Sequence, residues 1–219
     1  ESVIYTGGNN SLNTKIKTVS FNKADIAELD FYPKTIDEKL EYWIQIEGLS
    51  SVNQIKKIGE EFNIHSLTQE DIVNTGHKPK IEINDEYIFI IMDYTELFEN
   101  QLKKNNISFY LSKNILISFW DDEKAVFKKI KSRLNTKESL VRNKGVDFLL
   151  SRLLDRIIDE YYMAVDSYND IIDGMEDEVV SNTSGFDHKA IHSLKKEVRK
   201  LRRSAVSGKE ILFTLLSDP

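Results

Sequence analysis

Two adjacent carboxylates, Glu70 and Asp71, stand in the stretch from Asn63 to Asp93, which reads NIHSLTQEDIVNTGHKPKIEINDEYIFIIMD. An acidic pair can serve as general acid and base, but neighbouring residues on a helix point about 100° apart, so these two do not converge on one substrate atom. The same oxygens suit a hard cation. Mg2+ prefers oxygen ligands, keeps several of its waters, and binds through one or two carboxylates rather than a full protein cage. His188 and His192 stand four apart, a spacing that can chelate zinc, yet no third ligand accompanies them and the chain has no cysteine. His65 reads as a packing or capping residue and His77 as a turn residue. No Gly-rich phosphate loop, serine elbow or nucleophile with a matching base is found, so the sequence predicts no enzyme.

The elements that must position the acids follow from periodicity and breakers. The residue before a proline is pushed out of the α region, so the short helix carrying Glu70 and Asp71 should close at Asn74 and Gly76, before Pro79. Tyr87 to Met92 is a continuous apolar run, the pattern of a buried strand. Upstream, Val3 to Tyr5, Ile16 to Phe21 and Tyr42 to Ile46 read as strands, and Ala24 to Leu29 as a helical turn. Ser50 or Ser51 should cap a helix reaching Phe62, with Val52, Ile55, Ile58 and Phe62 on one face. Downstream, Ile107 to Leu111 and Ile115 to Trp120 are joined only by Ser112, Lys113 and Asn114, which predicts an antiparallel hairpin. Asp121 or Asp122 should then cap a helix containing Val126, Phe127, Ile130 and Leu134. This order predicts an α/β/α sandwich with a mixed sheet over residues 1–140.

Residues 141–219 change character to two long helices, expected to lie antiparallel with a break near Ser181 to Gly185. The first, about 145–180, carries an apolar stripe of Leu150, Leu154, Ile157, Tyr161, Val165, Tyr168, Ile172, Met175 and Val179. Beside it runs an acidic row of Asp155, Asp159, Asp166, Asp170, Asp173 and Asp177, which equally describes a solvated helix face. Asp187 should cap the second helix, about 187–217. There Ile191, Leu194, Val198, Leu201, Ala205, Gly208, Leu212 and Leu215 alternate steps of three and four, a heptad seam that calls for partner helices. Its other faces are basic.

Composition excludes several classes. The 219 residues, with 40% hydrophobic and 30% charged, can bury a real core. The longest uninterrupted apolar run, about Ile88 to Met92, is far short of the ~20 residues of a membrane-spanning helix. A net charge of −6, with an acidic helix next to the basic one, argues against nucleic acid as a partner. Lack of cysteine rules out disulfides and thiolate metal sites.

Taken in order, Trp43-Ile44 with Gly48, the segment EEFNIHSLTQEDIVN, the HKPKIE turn and the EYIFII strand resemble the CorA-type magnesium and cobalt transport proteins. The likeness runs to the C-terminus. The family's membrane helices and its Gly-Met-Asn pore signature do not occur in these residues. The resemblance therefore implies the cytoplasmic part of a longer cell-membrane transporter, with the membrane-embedded portion beyond Pro219 and the last helix a truncated stalk. It also implies a homopentamer regulated by Mg2+, or by Co2+ and other divalent cations, through Asp71, Glu70 and Asp155 together with an aspartate of a neighbouring stalk. In the mechanism so implied, the ion bridges carboxylates of adjacent subunits and holds the assembly closed. Two carboxylates ~4 Å apart repel by about 4 kcal/mol at an effective dielectric of ~20, and a bridging cation reverses the sign. Two alternatives stand beside this one: an interaction module whose long helices merely oligomerise, and a zinc-transporting relative of the same family.

Overall fold

The central strands bury apolar side chains on both faces, which requires helices on both sides of the sheet. The computed structural model describes residues 4–7, 13–98, 101–121, 127–181 and 188–217. Seven strands form one sheet: β1 (Lys15–Phe21), β2 (Ile26–Leu29), β3 (Glu41–Glu47), β4 (Lys80–Ile83), β5 (Ile88–Phe98), β6 (Gln101–Ser112) and β7 (Ile115–Trp120). Their order is β2-β1-β3-β7-β6-β5-β4. Every neighbouring pair is antiparallel except β3 and β7, so the sheet is mixed as expected. On β5, Phe89 and Ile91 enter one apolar cluster while Ile90, Met92 and Tyr94 enter the other. This two-sided burial explains why the run shows no alternation.

Helices α1 (Val52–Glu61) and α2 (Ser66–Val73) cover one face, with Ile55, Ile58, Ile72 and Val73 against Ile44, Ile46 and Phe119. The opposite face is covered by α3 (Lys128–Leu134), α4 (Leu140–Asn143), α5 (Val146–Ser181) and α6 (His188–Ser217). Leu149, Leu153, Ile157 and Tyr161 of α5 and Leu201 and Ile211 of α6 share a cluster with Trp43, Ile90 and Met92. One core thus runs across residue 140 from the sheet into both long helices. Gly208 lies over Tyr161 while Glu197, earlier on α6, faces Tyr168, later on α5, so the helices run antiparallel.

Local departures from expectation have local causes. Ile26–Leu29 is a strand rather than a helical turn, because Asn22 Oδ1 accepts from the backbone N–H groups of Ala24 and Asp25 and folds the chain back onto β1. Residues 4–7 form no strand, and Val3 lies outside the described residues. The HKPKIE turn holds a strand, β4, which begins directly after Pro79 and pairs with β5 at the sheet edge, where a residue without an N–H is tolerated. Ser51 occupies the N-cap of α1 without a side-chain capping bond. Asp121 does not cap α3, whose N-cap is Phe127; its carboxylate accepts instead from the Tyr5 hydroxyl (2.6 Å). Asp122, Val126, the Asn182 to Gly185 part of the expected break and Asp187 lie outside the described residues.

The α5 stripe is buried as expected at Leu150, Leu154, Ile157, Tyr161 and Tyr168, while on α6 the fully buried line is rotated from the expected seam. Val165 on α5, and Ile191 and Val198 on α6, are exposed. The buried positions of α6 are Glu197, Leu201, Ser204, Gly208 and Ile211. Two polar residues sit there because α6 lies on β5 and α5 and meets polar groups of the sheet, not the apolar groove of a like helix. Ser204 donates to Asp93, and Glu197 accepts from the Leu102 N–H (3.1 Å).

Candidate functional site

Helix α2 is placed by its ends. His65 Nδ1 accepts from the Leu67 N–H (3.3 Å), and Gln69 donates through Nε2 to the Ile64 carbonyl (2.7 Å). At the other end Asn74 Oδ1 accepts from Gly76 N–H (3.3 Å) and from the Thr6 hydroxyl (2.9 Å), turning the chain toward Pro79. Ile72 and Val73 anchor the buried side, which leaves Glu70 exposed and Asp71 half-buried beside the sheet edge.

The Asp71 carboxylate is held between two basic groups. Lys80 Nζ stands 2.5 Å from Oδ2 and His77 Nε2 stands 3.1 Å from Oδ1. Lys80 also reaches Glu82 Oε1 at 2.6 Å. Burial works against the Lys80 ammonium, but its bonds with Asp71 and Glu82 outweigh that and hold its pKa above the ordinary lysine value. The turn histidine and the strand lysine are thus Asp71's partners. Their signal lay in the HKPKIE run: bases six and nine residues past an acid, with a proline forcing the chain to reverse.

Asp155 sits elsewhere. It projects from α5 on the opposite face of the sheet, its side chain 51% exposed and paired with Arg152 Nη2 at 3.0 Å. With Mg–oxygen bonds of about 2.1 Å, one ion cannot join Asp155 to Asp71 of the same chain through a layer of strands. Glu70 and Asp71 are neighbours only along the chain, with Glu70 exposed and Asp71 turned to Lys80 and His77, and Asp155 is not brought to either. Among the described residues no group of three or more His, Cys, Asp or Glu is placed to hold a metal ion. The carboxylate oxygens themselves suit Mg2+, and the space at Asp71 is already one in which positive charge resides. The acidic row Asp155, Asp159, Asp166, Asp170, Asp173 and Asp177 is exposed throughout, and among the described residues no helix is long and apolar enough to cross a membrane. His192 is exposed.

Comparison with known proteins gives this arrangement a family. The model described as CorA-like Mg2+ transporter protein matches residues 39–219. The chain belongs to the CorA-like family. A cobalt/magnesium transport protein CorA of Thermotoga maritima is 30% identical over 184 residues, 83% of this chain and 52% of that protein. The soluble domain of CorA from Methanocaldococcus jannaschii superposes with a TM-score of 0.76 at 17% identity, over 92% of this chain and 80% of that one. The ZntB cytoplasmic domain from Vibrio parahaemolyticus superposes with a TM-score of 0.59 at 12% identity, over 90% and 92% of the two chains. At such identities the structural likenesses speak for the fold alone. The chain spans about half the length of the curated relatives it matches.

Proposed function

We propose that this CorA-like chain is the divalent-cation-sensing, gating part of a magnesium or cobalt transporter, on the cytoplasmic side of the cell membrane. The observation that carries the reading is the Asp71 carboxylate, lodged between Lys80 and His77 beside an exposed Glu70. A divalent ion brought by a neighbouring subunit can take the place of the Lys80 ammonium, while Asp155 on the far side of the sheet serves the neighbour on that side. A homopentamer supplies such an arrangement, since each copy presents both faces to different neighbours. The ion then has higher affinity for the closed assembly than for separated subunits, and that difference is what drives gating. Family membership supports transport rather than catalysis.

The test uses the protein assembled in membranes. Mg2+ should slow its proteolysis, and the double variant Asp71→Ala, Asp155→Ala should lose most of that protection while its circular dichroism is unchanged. Undiminished protection in the double variant removes these residues from the site.

A second reading has one observation in its favour. An apolar groove between α5 and α6, lined by Tyr162, Val165, Leu212, Phe213 and Leu216, gives the helices a surface for metal-independent association. Sedimentation that is unchanged by Mg2+ and by chelator would favour it.

A further inference from the structure

Helices α5 and α6 carry opposite charge side by side. The first holds ten acids and two bases, net −8, and the second eight bases and two acids, net +6. Proximity does not pair them off. Arg152 with Asp155, Arg156 with Asp159 and Glu160, and Lys200 with Glu197 are ion pairs within single helices. Asp166, Asp170 and Asp173 of α5 and Lys195, Arg199 and Arg202 of α6 are exposed, and among the described residues these six charges take part in no ion pair.

Both rows face away from the sheet. At about 100° per residue, the acidic row stands opposite the buried Ile157, Tyr161, Ala164 and Tyr168, and the basic row opposite the buried Glu197, Leu201, Ser204 and Gly208. Because the two helices pack on each other and both on β5, their outer surface is an acidic stripe beside a basic one. Gly208 is level with Tyr161 and Glu197 with Tyr168, which puts Asp166, Asp170 and Asp173 level with the turns of Arg202, Arg199 and Lys195. Within each stripe, like charges three and four residues apart repel. A surface that sets the opposite charge over each stripe relieves that repulsion, and a second copy supplies it. Turned by half a turn about an axis parallel to the helices, the copy lays acid on base and base on acid at the same level.

We propose that the chain pairs face to face with a second copy through this helical layer, Asp166, Asp170 and Asp173 of each meeting Arg202, Arg199 and Lys195 of the other. A twofold axis across the helices lays acid on acid, so charge selects the axis as well as the surface. A uniformly anionic membrane or nucleic acid meets the acidic stripe together with the basic one, which favours a striped partner. The contact uses neither Asp71 nor the groove lined by Leu212 and Phe213. Asp155 stands roughly 16 Å further along α5 than Asp166, at ~1.5 Å per residue, so failure of this contact leaves both readings above untouched.

Sedimentation in the presence of chelator keeps divalent ions out of the test. The chain should form dimers at about 0.02 M ionic strength, and the dissociation constant should rise at least about tenfold at about 0.3 M, where exposed charges are screened. The triple variant Asp166→Lys, Asp170→Lys, Asp173→Lys makes both stripes basic, and Lys195→Glu, Arg199→Glu, Arg202→Glu makes both acidic. Each should be monomeric alone, and an equimolar mixture of the two should dimerise again. The chain has no cysteine, so Asp170→Cys in one copy and Arg199→Cys in another report the register directly. On oxidation their mixture should give the mixed disulfide dimer at least about tenfold over either homodimer, because the twofold axis keeps like positions too far apart to bridge. A native chain that stays monomeric at low salt, dimers as strong at high salt, or species larger than a dimer overturn the proposal. So does a mixture of the folded triple variants that stays monomeric.

Discussion

Ser204 on α6 donates a hydrogen bond of 2.7 Å to the carboxylate of Asp93, which lies buried on β5. Lys104 supplies a second contact at 2.9 Å, and the Tyr161 hydroxyl donates to the Asp93 carbonyl. One sheet residue thereby ties both long helices to the core. Loss of a donor to a buried charged acceptor costs roughly 1.5–3 kcal/mol. Ser204→Ala should therefore lower stability by about that amount in urea unfolding, with an unchanged slope against denaturant. A loss under about 0.5 kcal/mol would show that Lys104 alone satisfies the carboxylate.

Glu197 gives the acid side of the stability curve a specific origin. Burial pushes its carboxyl up, but bonds from Lys200 (2.7 Å) and from the Leu102 N–H outweigh that and leave its pKa below the ordinary glutamate value of 4.5. A depressed folded-state pKa stabilises the fold above the unfolded pKa, and that contribution disappears as pH falls through the folded value. Glu197→Gln should accordingly lower stability at pH 7 and flatten its dependence on pH below about 4.5. Parallel curves for the variant and the native chain in that acid range would contradict this.

Gly59 shows a close approach that the helix alone would not require. A Cβ built there falls 2.2 Å from Gln69 Nε2, the atom that donates to the Ile64 carbonyl. In an open helix Gly→Ala gains about 1 kcal/mol. Here Gly59→Ala should instead destabilise by about 1–2 kcal/mol, because displacing the amide leaves a buried carbonyl unpaired. Thermal unfolding reads the sign directly.

If Asp71 holds the regulatory ion as proposed, the Lys80 ammonium that occupies its carboxylate competes with that ion. Lys80→Met keeps much of the apolar stem that lies near Phe89 and removes the charge. The Mg2+ concentration giving half-maximal protection from proteolysis should fall severalfold in the membrane-assembled protein. A rise in that concentration would mean that Lys80 positions the carboxylate for the ion rather than excluding it.

Much of the architecture was legible because local rules and burial agree. The run of Ile88 to Met92 announced a strand covered on both faces, Asn74 and Pro79 bounded α2, and the three-residue link at Ser112 to Asn114 demanded a hairpin. Helical spacing announced α5 and α6, since a long apolar stripe persists whatever it packs against. What the stripe on α6 could not reveal was its azimuth. Glu197 and Ser204 stand outside the expected seam, yet they are buried because β5 and the start of β6 place a carboxylate and an N–H directly opposite them. The acids at 70 and 71 were visible from their spacing, and their neighbours His77 and Lys80 became partners only when β4 turned back along β5. The sheet likewise decided that Asp155 stands on the opposite face from Asp71.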